Sequence, residues 1–187
     1  MIATRAFFRR IRGDHSGAAA VEFAFIAPVM ILFYFGMVEY CQALMAERKA
    51  IRTASAVGDL IAQVDTITPT GSGGVDDVFT IAGTIMSPFP TTTAELKICV
   101  AHLSANASSV VTVDWSRNSG DSTCPAKNAT FNGVPANLIT AGQSLVMSKV
   151  SYEYTSPVKY LLQTNPVFTK AYYLRPRKSA KVTCASC

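Results

Sequence analysis

Hydrophobic and polar positions follow three different rhythms along this chain. Residues 23–38 carry no charge, and the Ala-rich stretch 18–21 and residues 40–46 lengthen the apolar run on either side. Two acids, Glu22 and Glu39, bracket it. About 20 apolar residues at 1.5 Å rise cross roughly 30 Å of hydrocarbon, so the run has bilayer-spanning length. In residues 47–64 the rhythm becomes helical. Ala50, Ile51, Ala54, Val57, Leu60, Ile61 and Val64 recur at three- and four-residue steps and form one apolar face. The helix is therefore expected to continue beyond the membrane and seat on a globular domain, with a partner helix as the rival use of that face.

Residues 66–77, rich in Gly, Thr and Pro, read as a flexible connection. Residues 75–86 suit a short helix with Asp76 and Asp77 favourable in its first turn. Alternation of apolar and polar residues then takes over at 95–103 and 109–115, a loop-like stretch follows at 116–142, and further strands are expected at 143–155, 166–174 and 179–184. Strands after helices predict an α+β fold: a long N-terminal transmembrane helix continuing into a small antiparallel sheet.

Composition refines this picture. The chain is 49% hydrophobic and only 16% charged, too apolar for a disordered protein and high for a soluble one. Of the net charge of +5, three units lie in residues 1–17, where Arg5, Arg9, Arg10 and Arg12 face only Asp14. The remaining two are spread widely, which argues against nucleic-acid binding. A basic leader before an apolar run suggests a secretory signal, but the run is too long for a signal h-region and Glu22 interrupts its start. A signal anchor with a cytoplasmic N-terminus fits better, although Arg48, Lys49 and Arg52 just past the span weaken the charge asymmetry.

Gly17 is followed by Ala18-Ala19-Ala20-Val21 and then Glu22-Phe23. This spacing resembles the G-x-x-x-x-E-F/Y processing motif of type IV prepilins, especially the Flp/Tad branch. Gly17 to Ala24, Pro28, and the Phe35-Gly36-x-x-Glu39-Tyr40 block together resemble the TadE-like segment, firmly over about residues 14–60. The resemblance implies residues 1–17 as a leader, 18–46 as a single transmembrane helix, 47–64 as its extension and 65–187 as a periplasmic α+β domain. It implies cleavage between Gly17 and Ala18 by a membrane prepilin peptidase, and residence in the bacterial inner membrane. It further implies partnership with membrane lipid, other pilins or pseudopilins, and the Tad platform and secretion machinery. The role so implied is that of a minor pseudopilin without catalytic residues, metal or cofactor. Glu22 would neutralise the freed Ala18 amine of a neighbouring subunit. On position alone, Glu22 is equally an acid at a membrane interface near a helix N-terminus.

Within the run, Pro28 is expected to break or kink the helix locally. Gly36 could admit a close helix neighbour. Glu39 lies 17 residues after Glu22, about 25 Å along a helix, and reads as a boundary residue at the opposite interface.

Candidate chemistry is sparse. His15 and His102 fall on opposite sides of the span, and no Cys/His group has zinc spacing. Cys99, Cys124, Cys184 and Cys187 all follow the span, which suggests disulfides in an oxidising compartment. The strands on either side of the 99–124 interval carry the chain out and back, which favours a Cys99–Cys124 bond, with Cys184 able to compete. Cys184-x-x-Cys187 is either a terminal staple or a redox pair. The second option defines an alternative function, an unprocessed, signal-anchored periplasmic thiol-disulfide protein. The late basic group Arg175, Arg177, Lys178 and Lys181 reads as a solvated strand edge.

Overall fold

A computed structural model describes residues 17–159 and 162–187; the expected leader up to position 16, with its arginines and His15, lies outside the described residues. Helix α1, Ala18–Ala62, runs unbroken for 45 residues, about 68 Å. It passes through Pro28, which removes one backbone bond without ending the helix. The bulky residues of its first half, from Val21 to Phe35, stand exposed, and burial begins at Gly36. From there the buried positions are Glu39, Ala43, Ala46, Ala50, Thr53, Ala54, Val57, Gly58, Ile61 and Ala62. This is the face that the helical period marks from Ala50 onward, with Ile51, Leu60 and Val64 at its half-buried margins.

Two layers meet on that face. Helix α2, Val75–Met86, buries Val75, Val78, Ala82 and Met86 at three- and four-residue steps and packs along α1. The sheet has strand order β3-β2-β4-β5, all antiparallel, from β2 (Leu96–Ala105), β3 (Val111–Ser119), β4 (Ser144–Glu153) and β5 (Val167–Leu174). β4 and β5 lie against α1. Alternation gives the sheet two apolar faces. Ile98, Val100, Trp115, Val146, Val150 and Tyr152 join the helices in the larger core. Cys99, Ala101, Leu103, Val113 and Met147 form a smaller one, covered by Phe131, Val134 and Ile139 of the long 120–142 connection.

Two expectations change. The segment 66–77 is not loop throughout: Thr66–Ile67 forms β1. The last strand shortens to β6, Thr183–Cys184, and pairs with β1 in a separate parallel ladder instead of joining the antiparallel sheet. The chain thus returns at its C-terminal end to the place where it left α1, and Arg177 N–H donates to Ala62 O at 2.9 Å.

Candidate functional site

The first half of α1 begins one residue after Gly17, which serves as its N-cap with φ −80° and ψ −15°. Any residue adopts those angles, and a Cβ built on Gly17 would meet nothing within 4 Å. Among the described residues, neither backbone nor packing demands glycine here. Glu22 and Phe23 are exposed on the next turn, and among the described residues Glu22 has no hydrogen bond or ion pair. Within hydrocarbon a carboxylate in that state costs a few kcal/mol.

Where α1 enters the domain, Glu39 is more than an exposed acid at an interface. It is 2% exposed, and the Ser156 hydroxyl donates to its Oε1. One turn on, Tyr154 OH donates to Gln42 Oε1 at 3.3 Å. Burial pushes the Tyr154 hydroxyl pKa up. The segment leaving β4 folds back along the helix and covers this acid. The available signal is Gln42, three residues from Glu39 on the side of Gly36, Ala43 and Ala46: a polar pair set among small residues predicts a buried contact.

His102 is fully buried on β2 and acts structurally. A register shift between His102 and Leu103 leaves Asp114 of β3 without a cross-strand partner, and its carboxylate turns to His102 Nδ1 at 3.0 Å. His102 Nε2 accepts from Val182 N–H at 3.2 Å, and Trp115 Nε1–H donates to Val182 O at 2.7 Å. Together they strap the C-terminal segment to the sheet. Ser104 donates to Asp114 at 2.6 Å, on the carboxylate and not on the imidazole. A serine nucleophile needs the base itself as its partner, and this order does not supply one.

Cys99 is bonded to Cys124, and Cys184 to Cys187, with Cα–Cα separations of 5.5 and 5.6 Å. Cys184 sits in β6 against the larger core, a setting without the helix N-terminus that activates redox C-x-x-C thiols. The late basic group is not a free strand edge. Arg177 pairs with Asp59 of α1, Arg175 donates to Gln143 at 3.1 Å, and Lys181 lies 3.9 Å from Asp114. These residues follow β5 and tie the returning chain to α1 and the sheet.

The described residues therefore present two places of interest on one helix: an exposed start with an unpaired acid, and a clamped exit. No curated protein and no solved structure matches this chain. The helix is long and apolar enough to cross a membrane. Residues 17–59, from the N-cap glycine into the seated face of α1, match the family model described as TadE-like protein.

Proposed function

We propose that this chain is a minor pseudopilin of a Flp/Tad-type pilus assembly system, anchored by the bare first half of α1 with its sheet domain periplasmic and cut after Gly17 by a prepilin peptidase. The observation that carries this reading is the coincidence of Gly17 with the residue before a bare apolar helix. Cleavage there would remove the leader and leave all of α1 on the mature protein. Conformation and packing leave room for a larger residue at Gly17, which supports a requirement set by the protease. The Glu22 carboxylate, without a partner within the described residues, would then meet the new Ala18 amine of an adjacent pilin or pseudopilin. That pairing would offset the cost of an acid in hydrocarbon and set the stagger between helices.

The test is intact-mass analysis of membrane-extracted protein from cells with and without the prepilin peptidase. With the enzyme, the mass should start at Ala18; without it, or in Gly17→Leu, the leader should remain. Retention of Met1 in the presence of the peptidase would overturn the proposal. The Gly17→Leu protein should keep the unfolding midpoint of the unaltered chain, because among the described residues nothing lies within 4 Å of a Cβ at that position.

A further inference from the structure

The described contacts between α1 and the domain are spaced along the helix axis, and this spacing orients the domain. Asp59 meets Arg177, Lys49 donates to Ile85 O at 3.1 Å, and Glu47 takes Lys170 at 2.7 Å. Gln42 then meets Tyr154, and Glu39 meets Ser156. The β4 end at Glu153 and the segment after it are thus turned toward the bare half of α1. The β2–β3 connection, residues 106–110, lies at the opposite end of the sheet.

The bare stretch 18–35 measures about 27 Å, close to the hydrocarbon thickness of a bilayer. If it is embedded, as the proposed function requires, Gly36 to Glu39 lie where the headgroups begin. Ser156 is pinned to Glu39 at that level, and beyond it the chain turns outward through Pro157, Val158 and Lys159, all exposed. Val158 exposes 51% of its surface. The turn is closed as well as anchored: the Ser156 hydroxyl that donates to Glu39 also accepts from the Lys159 N–H at 3.3 Å, with Lys159 at φ +52°. A closed turn with one apolar and one cationic side chain is therefore held at headgroup depth. An ammonium on a long apolar stem suits that boundary.

We infer that the turn 157–159 is a second membrane contact, with Val158 at the edge of the hydrocarbon and Lys159 among the phosphates of anionic phospholipids. The helix anchors the protein, and the turn fixes the depth and tilt at which the domain stands on the bilayer. The inference rests on α1 being embedded and is independent of which side of the membrane the domain occupies.

The test uses the full chain with Cys41→Ser, reconstituted into vesicles of phosphatidylethanolamine and phosphatidylglycerol. An environment-sensitive fluorophore is placed on a single added thiol, Val158→Cys, Phe33→Cys or Ser108→Cys in turn, with a quencher carried on the lipid. Labels at 33 and 158 should be blue-shifted and quenched, and the label at 108 should be neither. Lys159→Glu should weaken quenching at 158 without moving the unfolding midpoint. A quenched label at 33 with an unquenched label at 158 overturns the inference and leaves the anchor standing. Loss of quenching at both positions overturns the anchor, and the inference with it.

Discussion

The two halves of α1 are one continuous helix of mostly apolar residues, yet they meet opposite surroundings. Before Gly36 the helix displays Phe23, Phe25, Phe33 and Met30 outward with nothing of the domain against them. From Gly36 onward small residues line the contact face. Ala46, Ala50, Ala54, Gly58 and Ala62 follow at every fourth position, a seam against which α2, β4 and β5 lie close. At Gly58 an added Cβ would come 2.5 Å from Leu174 Cδ1 and 3.2 Å from Ser148 Cβ. Side-chain size, more than hydrophobicity, separates the two halves. Bulk suits a stretch that fluid lipid would surround, whereas a packed sheet accepts only what leaves room for its own side chains.

That contrast is broken most sharply by exchanging bulk for smallness. Ala54 is fully buried in the seam, and Ala54→Phe should cost about 3 kcal/mol by overpacking. It should also lower the unfolding midpoint of the domain, followed through the fluorescence of the buried Trp115. An unchanged midpoint would mean the seam yields easily and size does not define it. The next effect is at the clamp. Ser156→Ala removes the hydroxyl that donates to Glu39 and closes the turn, and should cost about 1–2 kcal/mol. Ser156→Thr, which keeps the hydroxyl, should recover most of that loss.

A gentler effect comes from the strap that brings the C-terminal segment back to the domain. Burial lowers the His102 pKa below 6.5, against the opposing pull of Asp114 and with a further push from Lys181. The folded state therefore favours neutral imidazole, whose Nε2 can accept from Val182 N–H. Its contribution is complete above the unfolded pKa of 6.5 and is lost as pH falls from there through the folded value. The domain should lose stability over that window, and His102→Gln should flatten the dependence. A pH profile unchanged by that substitution would remove His102 from the strap.

How far this was legible in the residues depends on distance along the chain. The helical face from Ala50 to Ile61 and the alternation of β2, β3 and β4 are local signals, and they locate the layers. The Gly17–Glu22 spacing is local too. For Glu39 only the neighbouring Gln42 hints at burial; Ser156, which donates to it, stands 117 positions away and leaves no local mark. The β1–β6 ladder, two residues on each side, is too short to carry a period. Arg177 finds Asp59 only because the chain returns there, which no charge count reveals.

The smallest effect on the domain is expected from a large cut in the bare half. Phe33 is 71% exposed and has no part in either apolar core. Phe33→Ala should therefore move the unfolding midpoint by less than about 0.5 kcal/mol, although it deletes far more apolar surface than any change made in the seam. The same residue, taken as lipid-facing, still contributes to holding the helix in a bilayer, so the loss should be visible in vesicle retention and not in the Trp115 transition. A midpoint that fell as far as that of Ala54→Phe would show the bare half packed into the folded unit, and the division at Gly36 would disappear. Equal insensitivity of both measurements would leave the bulk of Phe33 without a role, and side-chain size would no longer account for what the bare half does.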